Sequence, residues 1–231
     1  MIKLLTSGGL GDAAMSLAKI HAKFSHCIDD IEVTHVRVRD DNLYDPIREF
    51  YDTQSIKNKV IKIPSWDWKI ENRNNYEHFL GSNWGVDNHG DESSWEIEPF
   101  PVIKYSEFKP DSIIINPTSG GKEEISKRFA KSDVESFILD WPEAIIIGKG
   151  SDGYDDYPNS LYNKTDMKTL VNLIASSGIV ISPEGFVPYF AAMCGCKVYI
   201  KNENVEAINK RKHPKWDMTI VDDLTLTESK E

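Results

Sequence analysis

Short apolar strands, each followed by a glycine-containing loop and then by helical periodicity, recur through this chain and constrain its fold more than any other feature. Ile2–Leu5 leads through "TSGGLGD" into a helix predicted over Asp12–Phe24, with Ala14, Leu17, Ala18 and Ala22 at helical spacing. Strands are then predicted at Glu32–Val38 and in "KVIKI" (59–63), with "DDNLYDPIREFYD" as a short helix between them. The pattern restarts at "SIIIN" (112–116), a β-branched run of the kind buried in a parallel sheet. A loop "PTSGGKEEISKRF" follows, then a helix running to about Leu139, and the strand and turn "AIIIGKG" (144–150). Next come a helix in "DMKTLVNLIASSG", capped by Thr165 or Asp166, the strand "IVIS" (179–182), the turn "PEG" and the helix "FVPYFAAMCG". "KVYI" (197–200) is expected as the last strand.

Alternating strands and helices imply doubly wound parallel sheets, which bind ligands beyond the carboxyl ends of their strands. Loops 6–12, 117–122 and 183–185 each follow a strand and are therefore expected at a binding edge. "EPFPVIKYSEFKPD" (98–111), with three prolines, reads as a linker. The expected organisation is α/β, with two Rossmann-like parallel-sheet domains, 1–108 and 109–231, facing a cleft. Residues 64–100 carry Trp66, Trp68, Trp84 and Trp95 among Asn, Gly and Asp and show no clear element, as a functional loop region would.

With 231 residues, 40% hydrophobic and 28% charged, the composition is that of a globular protein. The net charge of −10 argues against wholesale binding to nucleic acid or anionic membrane. No apolar run approaches the roughly 20 residues needed to span a bilayer, and Ile2–Leu5 is too short for a signal-peptide core. Cys27, Cys194 and Cys196 make neither a disulfide framework nor a metal-ligand pattern, which points to reduced thiols and a cytoplasmic setting. Two local patches oppose the overall charge. Lys57, Lys59, Lys62, Lys69 and Arg73 interleave with Trp66, Trp68 and Tyr76, and "NKRKHPKW" spans 209–216. Either is a solvated face or a surface for sugars, bases and phosphates.

Individual residues carry two readings each. Gly8, Gly9 and Gly11 permit a tight turn and close approach of another group. Asp12, at a helix start, is a cap or a carboxylate presented to a ligand. Lys127 and Arg128, expected on a helix, are solvent-facing or phosphate-binding. Glu184 caps the helix that follows it or hydrogen-bonds a ligand. Asp152, in "GKGSDGYDD", belongs to a turn or meets a nucleoside, and Tyr189 is expected to pack.

"GGLGDAAMSLAKIHA", "INPTSGGKEEISKRFA" and "LVNLIASSGIVISPEGFVPYFAAMCGCKVYI" resemble, in order along about two-thirds of the chain, the motifs of glycosyltransferase family 9. These are heptosyltransferase-like enzymes with the GT-B architecture. The chain departs from the pattern in placing Tyr189 at the family's usual histidine, and it is shorter than most members. The resemblance implies metal-independent, inverting transfer of a sugar from a nucleotide-sugar donor to an acceptor hydroxyl, with no further cofactor and a monomeric enzyme. It makes Asp12 the general base. It matches Lys127, with Arg128 beside it as the rival, to a cation facing the donor diphosphate, and Glu184 and Gly185 to the family's acidic residue and glycine. With the loop of Thr118, Ser119, Gly120 and Gly121, and with Asp152 from its place after a strand, these are the expected donor site. Trp66 and Trp68, from their own lysine-rich surroundings, are expected with Gly9 and Gly11 on the acceptor side. The expected acceptor is a saccharide or lipid-linked saccharide. Phage DNA carrying hydroxymethylated bases is the alternative, reached through an extruded nucleotide, and a non-catalytic nucleotide- or sugar-binding module is a third reading. A dinucleotide-dependent oxidoreductase is disfavoured, because "GGLGD" lacks the GxGxxG spacing and only Asp40 stands near the end of the second strand.

Overall fold

A computed structural model of the chain describes residues 1–38, 43–65, 67–80, 111–119, 128–202 and 204–224. The chain divides into two compact units. One comprises Met1–Pro101 with Glu206–Lys215, the other Val102–Val205 with Trp216–Glu231.

The first unit runs β1 (Ile2–Ser7), α1 (Leu10–Phe24), a 3-10 turn (Ser25–Asp30), β2 (Ile31–Arg37), α2 (Tyr44–Asp52), β3 (Lys57–Lys62), α3 (Asp67–Asn72) and β4 (His78–Leu80). Its sheet has the order β3-β2-β1-β4, and every pairing is parallel. The apolar stripe of α1 is buried through Ala13, Ala14, Leu17, Ala18 and Ile20, while Leu4 and Leu5 of β1 and Val33 of β2 are likewise inaccessible. The alternation read from the sequence is present, with boundaries displaced by a few residues. The featureless stretch expected at 64–100 is corrected: it contains α3 and β4. β4 is only three residues long and gains its identity by pairing with β1, Leu4 facing His78, and not from any pattern of its own.

In the second unit the order along the chain is β5 (Ile113–Ile115), α4 (Lys131–Asp140), β6 (Ile145–Ile146), α5 (Met167–Ala175), β7 (Ile179–Pro183), α6 (Phe186–Met193), β8 (Lys197–Lys201) and β9 (Met218–Val221). α7 (Val205–Arg211) lies between β8 and β9 in sequence. The sheet order is β6-β5-β7-β8-β9, again entirely parallel. Asp166 is the cap of α5, its carboxylate accepting the Thr169 N–H at 2.7 Å. "KVYI" is therefore not the last strand, since β9 extends the sheet beyond it. The helix expected after "PTSGGKEEISKRF" and running to about Leu139 is α4, Lys131–Asp140. Cys196 is buried, Cys27 and Cys194 are half-buried, and all three are free thiols. Of the proline-rich segment 98–111, only Asp111 is among the described residues.

Both sheets have a point where the strand order reverses. β1 is flanked by β2 and β4, and β5 by β6 and β7. Crevices for ligands open at such points, outside the carboxyl ends of the strands. The loops there begin at Gly8 in the first unit and at Asn116 and Glu184 in the second. Among the described residues, no helix is long and apolar enough to cross a membrane.

Candidate functional site

In the first unit the chain leaves β1 at Ser7 and turns sharply. Gly8 has φ +114, a region side chains rarely adopt. An added Cβ there would lie 2.3 Å from Asp12 Oδ2 and 2.7 Å from Asp12 Cβ. Gly9 is the N-cap of α1, and its N–H donates to Asp12 Oδ2 at 2.7 Å. Asp12 is half-buried in the first turn, where the unpaired N–H groups favour a carboxylate. Capping therefore engages one carboxylate oxygen, and no hydrogen bond to the other occurs among the described residues. The cap and the presented carboxylate, alternatives in the sequence, coexist.

A buried polar cluster lies beneath this turn. The Gly8 carbonyl accepts from His35 Nε2 at 3.1 Å and also from the Arg37 guanidinium. A carbonyl only accepts, so His35 carries its proton on Nε2, and Nδ1 accepts the Thr6 hydroxyl at 2.8 Å. The Tyr51 hydroxyl reaches Thr6 Oγ1 at 3.3 Å. Burial pushes the His35 imidazole down to about 4, so the ring is neutral at pH 7. Burial likewise pushes the Tyr51 phenol up. Nothing in the sequence reading singled out His35 or Arg37. The available signal was a histidine and an arginine at i and i+2 in the otherwise apolar "VTHVRV", which puts both on one face of a strand beside the glycine turn.

In the second unit the loops after β5, β6, β7 and β8 meet at one edge. Thr118 forms an isolated antiparallel bridge with Arg128. Arg128 is thus extended and not helical, which corrects the expectation that it projects from a helix. Its guanidinium pairs with Asp152 Oδ1 at 2.6 Å. Asp152 Oδ2 accepts the Tyr162 hydroxyl at 3.0 Å, and Tyr162 accepts from Thr118 Oγ1 at 3.1 Å. Burial pushes the Tyr162 phenol up to about 12, which keeps it the donor to Asp152. The Arg128 and Asp152 side chains are 24% and 25% exposed, so the pair orients Arg128 more than it stabilises the fold. Lys201 Nζ donates to the Arg128 carbonyl at 2.8 Å and lies 5.3 Å from the Phe129 ring centre. Arg128 Nε is buried with no hydrogen-bond partner among the described residues. Asp152 is thus a partner of Arg128 and Tyr162, one carboxylate oxygen engaged by each.

Glu184 ends the loop after β7 and is buried. The N-cap of the following helix α6 is Gly185. The Glu184 oxygens accept Tyr189 Oη at 3.1 Å and Asn202 Nδ2 at 2.6 Å. Tyr189 is buried as expected, its ring 6.4 Å from that of Trp216. An added Cβ on Gly185 would lie 2.0 Å from Ser119 Oγ, so the loops after β5 and β7 touch at the point of reversal. Trp68 is half-buried and packs against Leu5, Val36 and Ile63. That contact corrects its reading as an aromatic outside any core element. Trp66, Gly120, Gly121 and Lys127 lie outside the described residues. The described residues contain no group of three or more His, Cys, Asp or Glu arranged to hold a metal ion.

No protein-family model matches the chain, and no curated protein does. Solved structures do. A glycosyl transferase of family 9 from Veillonella parvula superimposes with a TM-score of 0.56 at 10% identity, covering 99% of this chain and 88% of that one. E. coli heptosyltransferase WaaC with ADP-2-deoxy-2-fluoro heptose gives 0.55 at 8% identity, over 95% and 92% of the two chains. The dodecameric, iron-containing heptosyltransferase TibC of enterotoxigenic E. coli, in complex with ADP-D-β-D-heptose, gives 0.56 at 11% identity, over 94% of this chain and 61% of that one. At such identities the likeness is one of fold: this chain has the α/β, parallel-sheet fold of these glycosyltransferases.

Proposed function

We propose that the chain is a glycosyltransferase that moves a sugar from a nucleotide-sugar donor to an acceptor hydroxyl, with inversion at the anomeric carbon. The observation that carries this reading is the Asp12 carboxylate, held by the Gly9 N–H at 2.7 Å beyond the carboxyl end of β1. It stands on a fold shared with structures that contain ADP or an ADP-heptose. Asp12 takes the acceptor proton while the acceptor oxygen bonds to the anomeric carbon. The bond from that carbon to the diphosphate breaks on the opposite face. The products are the inverted glycoside, a nucleoside diphosphate and a protonated Asp12. Closeness to the hydroxyl matters more here than unusual basicity.

The negative charge that develops on the diphosphate needs fixed donors. In this reading they are Arg128, aimed by Asp152, together with Lys127, the Thr118–Gly121 loop and the Gly185 end of α6. α6 begins there with its N–H groups toward the loop edge. Arg128 keeps guanidinium N–H groups beyond the one spent on Asp152. Glu184, with its oxygens accepting from Tyr189 and Asn202, shapes this edge. Gly9 and Gly11 leave room for the acceptor, for which a saccharide is the favoured class. The reaction is assigned to the chain's own cations and amides, without a metal, and to a monomer.

The test begins with thermal denaturation against ADP-, UDP- and GDP-linked sugars. A cognate donor at a hundredfold excess over Kd stabilises by about 2.7 kcal/mol. Nucleoside diphosphate release with that donor and a panel of saccharides is then compared in wild type and Asp12→Asn. The variant retains an oxygen to accept from Gly9 and should fold normally, yet turn over about 10²–10⁴-fold more slowly with donor affinity intact. Stabilisation by none of the donors, or wild-type turnover in Asp12→Asn, overturns the proposal.

A further inference from the structure

The geometry points to His35 and Arg37 as positioning residues that act on Asp12 through the peptide group joining Gly8 to Gly9. One end of that peptide is the Gly8 carbonyl, which accepts from His35 Nε2 and from the Arg37 guanidinium. The other end is the Gly9 N–H, which donates to Asp12 Oδ2 at 2.7 Å. Donors on a carbonyl polarise the amide and strengthen its N–H as a donor, so the three hydrogen bonds form one cooperative line. The Gly8 N–H is itself tied to the Val36 carbonyl of β2 at 3.3 Å. Both sides of the turn are thus gripped by consecutive residues of one strand.

The imidazole is itself held. His35 is fully buried, and its second nitrogen accepts from Thr6, which the Tyr51 hydroxyl reaches in turn. Arg37 is buried as well. A buried imidazole and a buried guanidinium on one β-strand are costly unless each is satisfied, and here one backbone oxygen receives both. The line ends on the carboxylate assigned as base, so its consequence for turnover rests on the reading given above. Its consequence for the turn does not.

The experiment uses the full chain labelled with ¹⁵N-glycine, in which the Gly9 amide is assigned by its loss in Gly9→Ala. His35→Met and Arg37→Met each remove one donor. His35→Gln restores an N–H at the end of a side chain of similar reach. In wild type the Gly9 amide proton should be shifted downfield and slow to exchange. His35→Met and Arg37→Met should move it upfield and speed its exchange, and His35→Gln should return it most of the way. Turnover should follow the same order, falling by up to about 10²-fold with donor Kd unchanged, as displacement of a reacting group does. An unmoved Gly9 amide in folded His35→Met and Arg37→Met refutes the line of hydrogen bonds. A Gly9 amide that moves and is rescued by glutamine while turnover stays constant upholds the line and refutes Asp12 as the base. Should His35→Met not fold, Arg37→Met carries the test alone: an unmoved Gly9 amide there refutes the line of hydrogen bonds, and a moved one upholds it.

Discussion

Alanine at Gly8 should destabilise the fold by about 2–4 kcal/mol, whereas alanine at its neighbour Gly9 should change stability by less than about 1. At Gly8 the backbone sits at φ +114, where an L side chain costs about 1–2 kcal/mol. The new methyl would also lie 2.3 Å from Asp12 Oδ2. Rotating the carboxylate away does not relieve this, because Asp12 Cβ itself would be 2.7 Å distant. The first turn of α1 must therefore shift, and the Gly9–Asp12 hydrogen bond is lost, at a cost of about 0.5–2 kcal/mol. Gly9 differs on both counts. Its φ of −91 and ψ of −172 are extended backbone open to any residue. A Cβ there would meet Asp12 Oδ2 at 3.7 Å, an ordinary contact. Alanine also narrows the unfolded ensemble, worth about 0.4–1 kcal/mol in the opposite direction. Equilibrium urea unfolding of the two variants beside wild type, compared at equal m-value, measures the difference. Equal losses at the two glycines, or a loss below about 1 kcal/mol at Gly8, would refute the steric argument.

Two further outcomes are expected. Asp152→Ala should weaken binding of ADP or UDP about tenfold, close to 1.4 kcal/mol, by releasing Arg128, while Tyr162→Phe, which keeps the Arg128–Asp152 pair, should weaken it less. Titration calorimetry checks the order, and equal affinities in all three proteins would remove Arg128 from the donor site. The second concerns pH. The His35 imidazole falls from 6.5 in the unfolded chain to about 4 in the fold, so its contribution is full above pH 6.5. As pH drops from 6.5 to 4 the unfolded chain takes up the proton first, and stability should decline by up to about 3 kcal/mol before levelling off. His21, also pushed down to about 4 by burial, adds a loss of the same sign. Denaturation between pH 4 and 7 should show a shallower decline in His35→Gln, and identical profiles would contradict the burial of a neutral imidazole.

Much of this architecture was legible because its strands are short, apolar and β-branched. Ile113–Ile115 and Ile179–Pro183 announce themselves. β4 could not be found that way. "HFL" is brief, its flanks are polar, and only the edge of β1 makes it a strand. Arg128 misled for a related reason. "EEISKRF" has helical composition, yet the bridge to Thr118 holds its end extended. Helix propensity is a weak local preference that a tertiary contact overrides. Asp12 was visible as a candidate because glycines flank it, whereas the partners of Asp152 and Glu184 come from distant loops. Side chains that meet only after folding leave no local mark: Asp152, read as a turn residue or a nucleoside contact, and Glu184, read as a helix cap or a ligand contact, each make hydrogen bonds within the protein that neither reading foresaw.

The exclusively parallel pairing of both sheets has a kinetic consequence. Parallel neighbours cannot be joined by a tight hairpin, so each strand waits for one that follows a long crossover. Leu4 of β1 meets His78, and Ile113 of β5 meets Ile179. Chain closure over such separations must be completed before its contacts reward it, which places folding among slow, high-contact-order reactions. β1 precedes β4 in the chain, so the β1 edge that β4 covers stays open until the β4 segment has been synthesised. During that interval Leu4 and Leu5, inaccessible in the finished fold, are open to contact with other chains.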